Sequence, residues 1–86
     1  MSPARNYESI KFFIKRLKET KIALARFETE YYPEKVRKLI ASYKLTITKI
    51  LKHSDAFLRQ EKDDWEKLHE VSSLNKKYKK HLSTLK

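Results

Sequence analysis

An all-α fold, arranged as an antiparallel three-helix bundle, is what this sequence predicts, and three observations lead there. Apolar residues recur at three- and four-residue steps along most of the chain. The 86 residues contain no glycine and only two prolines, Pro3 and Pro33, so the positive-φ turns of tight β-hairpins have almost nowhere to form. Strand-like alternation is confined to Lys44-Leu45-Thr46-Ile47-Thr48, and the helical register runs straight through it. A chain this short supports one core, so residues 1–86 are expected to form a single helical domain.

The first helix is expected near residues 3–31. Ser2 is a good N-cap, and Pro3 suits the first helical position, where its missing N–H costs nothing. Ile10, Phe13, Ile14, Leu17, Leu24, Phe27 and Tyr31 then fall within an arc of about 140° at 100° per residue, the width of one buried face. Tyr32 precedes Pro33 and is pushed out of the α region, which ends the helix near Tyr31. Pro33-Glu34 opens a second helix near 33–53, with an acid where the helix dipole favours it. Val36, Leu39, Ile40, Tyr43, Ile47, Ile50 and Leu51 form its apolar stripe.

A break is expected at His53-Ser54-Asp55, with Ser54 or Asp55 capping a third helix near 55–85. That helix carries Leu58, Trp65, Leu68, Val71, Leu74, Tyr78, Leu82 and Leu85. Ser72-Ser73 is a further candidate break. One alternative stays open, because a heptad set running from Val36 to Leu85 keeps its phase across the supposed break. The chain would then be a helical hairpin with one long C-terminal helix, about 75 Å long at 1.5 Å per residue. Helix 1 could cover only half of it, so compactness favours the bundle.

Several chemistries are excluded or disfavoured. Without cysteine there is no disulfide scaffold, thiolate nucleophile or cysteine metal site. Without glycine, phosphate-cradling loops and nucleophile elbows lack the residue that their backbone needs. His53, His69 and His81 share no helical turn, and Glu66 with His69 beside Asp63 is too sparse for a metal site. Asp63 and Asp64 point to different helix faces and make no carboxylate dyad. We therefore expect no enzyme, no catalytic residue, no metal and no cofactor. The longest clear apolar run is Phe12-Phe13-Ile14, far short of a bilayer span, so no membrane partner is expected. The N-terminal residues lack the apolar segment of a signal peptide, and a cytoplasmic location is the expectation. Scarce Asn and Gln with abundant Lys, Glu and Ile suggest a thermophile.

Charge is the informative property. The formal net charge is +10, and it is uneven. Residues 31–54 carry six Lys/Arg against one acid, residues 61–70 carry five acids against two lysines, and residues 71–86 carry five lysines and no acid. The second helix presents Lys35, Lys38, Lys49 and Lys52 with Ser42 and Thr46 among them; the C-terminal stretch adds Lys76, Lys77, Lys79 and Lys80. Ammonium and hydroxyl groups on one stripe suit phosphate oxygens. Lysine outnumbers arginine 16 to 5, which favours backbone contact over base reading, so sequence-independent binding to a nucleic-acid backbone is expected. A merely solvated face and an acidic protein partner remain alternatives, and the acidic residues themselves read as a solvated face with pairs such as Asp63–Lys67. Phe12 and Ile22 lie opposite the core arc of the first helix, and Leu45 lies among the lysines of the second. With Trp65, which reads either as core filler or as an interface anchor, they are the candidate partner-binding residues.

In size, charge, lack of cysteine and the helical hairpin Glu30-Tyr31-Tyr32-Pro33-Glu34-Lys35, the chain resembles the small basic helical accessory subunit of the crenarchaeal replicative B-family DNA polymerase. The resemblance implies an archaeal protein of DNA replication that steadies a polymerase on primed DNA, and it carries over no functional residue. An archaeal ribosome-associated structural subunit, or a protein–protein adaptor without its own DNA binding, would share the same composition.

Overall fold

The computed structural model describes residues 2–30 and 33–85, with the side chains of 28–30 left aside. Three helices follow one another: α1 (Pro3–Glu30), α2 (Pro33–Gln60) and α3 (Trp65–Thr84). Among the described residues there is no strand. The first helix starts as its sequence requires, with the Arg5 N–H donating to Ser2 Oγ at 3.3 Å and the Asn6 N–H to the Ser2 carbonyl at 3.0 Å. Pro33 opens α2 with Glu34 in its first turn. The expected end of α1 at Tyr31 lies outside the described residues, as do Tyr32 and Lys86.

Cross-helix contacts fix the directions. Asn6 meets Gln60 at one end of the α1–α2 pair and Phe27 meets Lys35 near the other, so these helices are antiparallel. Asp55 meets Asn75, and Tyr43 meets His81, so α3 is antiparallel to α2 in turn. The molecule measures 48 × 21 × 19 Å. Its length is that of the α1–α2 hairpin, because α3 stops opposite Tyr43 of α2 and Lys21 of α1. Beyond that point roughly nine residues of α1, about 13 Å at 1.5 Å per residue, pair with α2 alone.

The break between α2 and α3 does not fall at 53–55, and no single long C-terminal helix forms. The second helix runs seven residues beyond its expected end to Gln60, and α3 begins ten residues late at Trp65. The reason is how the polar pair at 54–55 is used. Ser54 donates its hydroxyl to the Leu51 carbonyl of its own helix at 3.0 Å and accepts from Asn75 Nδ2 at 2.7 Å, while Asp55 Oδ1 accepts from the same Asn75 amide at 2.9 Å. Both residues serve α3 sideways instead of capping it. The chain breaks instead at residues 61–64, where Glu61, Asp63 and Asp64 crowd like charges that a continuing helix would hold close together. Glu61 Oε1 accepts the N–H groups of Asp63 and Asp64, each at 3.1 Å, and Asp64 caps α3 by accepting from the Lys67 N–H at 3.1 Å. Free backbone donors at a helix start are thereby satisfied by carboxylates. The serines at 72 and 73 interrupt nothing.

Ile10 and Leu17 of α1, Ile47, Ile50 and Phe57 of α2, and Val71 and Tyr78 of α3 make the buried core. Each fully buried aliphatic or aromatic side chain is worth about 1.5–3 kcal/mol of transfer free energy. Among the described residues, two members of the expected stripes stand exposed instead of packing against it. Trp65 is 77% exposed at the first position of α3, which removes its core-filler reading. Ile40 is 37% exposed although it shares a stripe with Tyr43 and Ile47; Tyr43 already meets His81 in the last turn of α3, which leaves little of that helix to cover a residue one turn further on.

Candidate nucleic-acid interface

Two sides of α2 are occupied, one by α1 through His53 and Phe57 and one by α3 through Tyr43, Ser54 and Asp55. The side left over carries Lys38, Leu45, Lys49 and Lys52, which follow one another at seven-, four- and three-residue steps and are all exposed. From Lys38 to Lys52 the stripe is about 21 Å long at 1.5 Å per residue. Among the described residues no carboxylate lies within ion-pair distance of Lys38, Lys49 or Lys52. Lys35, at the start of the helix, is exposed and sits over the Phe27 ring at 5.1 Å. Of the two hydroxyls expected among these lysines, Ser42 is exposed, but Thr46 is buried and donates to the Ser42 carbonyl at 2.8 Å.

The first helix widens this surface with Phe12, which its sequence singled out, and with groups that it did not. Lys49 Nζ lies 5.4 Å from the centre of the Phe13 ring, and the Arg16 guanidinium 5.9 Å from that of Phe12. The Phe12 and Phe13 rings meet edge to face, 5.3 Å apart. Arg5 and Ser9, with the acid Glu8, line a shallow depression of about 320 Å³ against the same two rings. The face is thus cationic with aromatic rings between the charges. The four-residue step from Phe12 to Arg16 was a readable signal for part of it; the approach of Lys49 to Phe13 needed the helix pairing.

Polar contacts behind this face hold its parts in place. Asn6, almost fully buried, donates through Nδ2 to Gln60 Oε1 at 2.8 Å. Its Oδ1 lies 2.9 Å from His53 Nδ1, so Nδ1 carries the proton, and the His53 ring stacks on Phe13 at 5.7 Å. Burial, aided by the Lys52 charge, holds His53 below the ordinary histidine pKa. A base with a depressed native pKa takes up its proton more readily when unfolded, so it contributes stability above the ordinary pKa and loses it as pH falls through the native value. We expect the His53 imidazole to titrate below pH ~6.5 by NMR, and thermal stability to fall as pH is lowered through that range. A His53 midpoint at or above that value would contradict the depressed native pKa.

The C-terminal lysines do not join the α2 stripe, because α3 packs on another side of α2. Lys79 pairs with Asp55 at 3.6 Å, Lys77 lies over the Tyr78 ring at 5.5 Å, and Lys77 and Lys80 face Lys18 and Lys21 of α1 across a groove. Lys76 is exposed. The acidic stretch is likewise no plain solvated face. Lys67 lies 3.8 Å from Asp64, not Asp63, and Glu70 accepts from Tyr7 and from Lys11, the latter at 2.8 Å. The Lys11 ammonium, and then the Tyr7 hydroxyl, hold the Glu70 carboxyl below the usual carboxylate pKa.

The four expected partner-binding residues all stand exposed: Phe12 at 54%, Ile22 at 72%, Leu45 at 56% and Trp65 at 77%. They do not form one patch. Leu45 and Phe12 belong to the cationic face, Ile22 follows Lys18 by one turn beside the α1–α3 groove, and Trp65 stands at the far end of α3. Among the described residues no group of three His, Cys, Asp or Glu side chains could hold a metal ion, and no helix is long and apolar enough to cross a membrane. No family model, no curated protein and no solved structure matches the chain.

Proposed function

We propose that the chain is a non-catalytic accessory module whose α1–α2 face binds a nucleic-acid backbone without regard to sequence, alone or beside a nucleic-acid-processing enzyme such as a DNA polymerase. The observation that carries this reading is the outward stripe of Lys38, Lys49 and Lys52, widened by Arg5 and Arg16, with no carboxylate among the described residues within ion-pair distance. Ammonium groups are point charges that suit phosphate oxygens and discriminate poorly between bases. The aromatic rings of Phe12 and Phe13 beside them would let an unpaired base stack. The exposed Leu45 within the same stripe supports docking against a partner protein at that surface, as an enzyme-associated or ribosome-associated subunit would require.

Salt titration tests the reading. With roughly five phosphates neutralised, the logarithm of the affinity for a duplex should fall linearly with that of the salt concentration, with a slope of about −4 to −5. Fluorescence anisotropy on labelled DNA and RNA between low and physiological salt reads that slope and tells the two nucleic acids apart. Absence of binding at low salt, or binding indifferent to salt, would sink the proposal.

A further inference from the structure

Away from the α1–α2 face, the first and third helices leave a groove of about 410 Å³ between them. Lys18 and Lys21 stand on one wall, Lys77 and Lys80 on the other, and Tyr43 and Tyr78 lie in the lining. Among the described residues no carboxylate lines the groove, and none lies within ion-pair distance of those four ammonium groups. Like charges facing one another across an apolar cleft repel, and an occupant carrying carboxylates beside an apolar body relieves that repulsion. Leu17, buried in the core, adds an aliphatic side chain to the apolar lining.

The same chain carries a matching feature at its opposite end. Trp65 is 77% exposed, an unusual state for the side chain that buries most surface when it packs. It sits in Glu61-Lys62-Asp63-Asp64-Trp65-Glu66, four acids against one lysine. Glu61 and Asp64 are engaged by backbone N–H groups, whereas Asp63 and Glu66 have no cation within ion-pair distance among the described residues. Trp65 opens α3 and the groove is lined by its other half, from Lys77 to Thr84, about 18 to 28 Å away along the helix, so no molecule can fill its own groove.

We propose that the chain associates head to tail, with Trp65 of one copy seated in the α1–α3 groove of the next and Asp63 and Glu66 meeting the lysines of its walls. The contact is heterologous: each copy offers one tryptophan and one groove, so association continues past the dimer unless it closes into a ring. It leaves the α1–α2 face open and does not depend on what that face binds. A tryptophan brings about 150–250 Å² to a contact, and an interface below about 1,000 Å² is weak, so assembly belongs to the high-concentration range.

Sedimentation equilibrium of the full chain at near-physiological salt, from micromolar to about millimolar protein, tests it. The average mass should rise with concentration. Trp65→Ala, and separately a variant with Lys18, Lys21, Lys77 and Lys80 all changed to Glu, should each weaken association at least roughly 30-fold. Mixed together, these two variants should form a one-to-one dimer and nothing larger, since only one tryptophan and one groove remain between them. All the substituted side chains are exposed, and circular dichroism checks that the helices persist. If the quadruple variant unfolds, Lys18→Gln with Lys80→Gln takes its place in the mixture. A wild-type chain that stays monomeric at the highest concentration overturns the proposal and leaves the groove to an acidic segment of another protein. Wild-type association with no dimer in the mixture overturns it equally, by placing the contact elsewhere.

Discussion

Replacing Phe57 with alanine is expected to destabilise the fold by about 3–5 kcal/mol. Phe57 is 1% exposed and is the largest of the fully buried side chains. Its ring lies 5.8 Å from that of Tyr7 on α1, and it belongs to the same core cluster as Ile10 of α1 and Val71 of α3. Truncation removes apolar transfer free energy and leaves a void among three helices that cannot all collapse inward together. A domain of this size holds only about 4–13 kcal/mol in total, so one substitution takes a large part of it. The melting temperature should drop by roughly 15–30 °C. A thermal melt followed by circular dichroism checks this, and a drop of a few degrees would show that Phe57 does not bridge the three helices as the packing indicates.

Phe57 also shows where the sequence stopped being legible. The fold class could be read, because the recurrence of apolar residues at helical steps and the turn at Pro33 depend on neighbours within a few residues. The end of α2 could not. Ser54 and Asp55 look like caps when read locally, and only the arrival of Asn75, twenty residues later in sequence, turns them into lateral partners that let the helix continue. A break placed there assigned Leu58 to the core of a third helix and passed over Phe57. The true break at Asp64 carries its own local sign, an aspartate three residues before the N–H it caps, but the acidic run around it reads equally well as a charged helix face.

The candidate interface divides along the same line. Lys38, Lys49 and Lys52 share a face by spacing alone, and spacing is visible in a sequence. The rings and cations that α1 adds depend on which face of α1 meets α2, so the approach of Lys49 to Phe13 could not be read. The four C-terminal lysines illustrate the opposite error. They are adjacent in sequence, but at about 100° per residue a helix spreads them around its circumference, so Lys79 turns to Asp55 while Lys77 and Lys80 turn to α1. A cluster of charge in sequence becomes a cluster in space only when the step matches the helical repeat.

Changing Lys38, Lys49 and Lys52 together to Glu is therefore expected to lower affinity for a nucleic-acid duplex at least roughly 100-fold, and to reduce the magnitude of the salt slope by about 3. All three are exposed, and neither Lys38 nor Lys52 pairs with a carboxylate among the described residues, so the helices should persist by circular dichroism. The contact of Lys49 with Phe13 is lost as well, which costs no more than about 1 kcal/mol at an exposed position. Part of any such loss comes from the smaller net charge, since the field of the whole protein steers polyanions. A variant with Lys62, Lys76 and Lys80 changed to Glu carries the same change in net charge on other surfaces and isolates that part. Steering by net charge alone predicts that the two variants weaken binding equally. A docking stripe on α2 predicts that the first loses far more than the second, because counterion release is counted at the phosphates actually contacted. Equal losses would remove α2 as the binding surface and leave only a generally basic molecule.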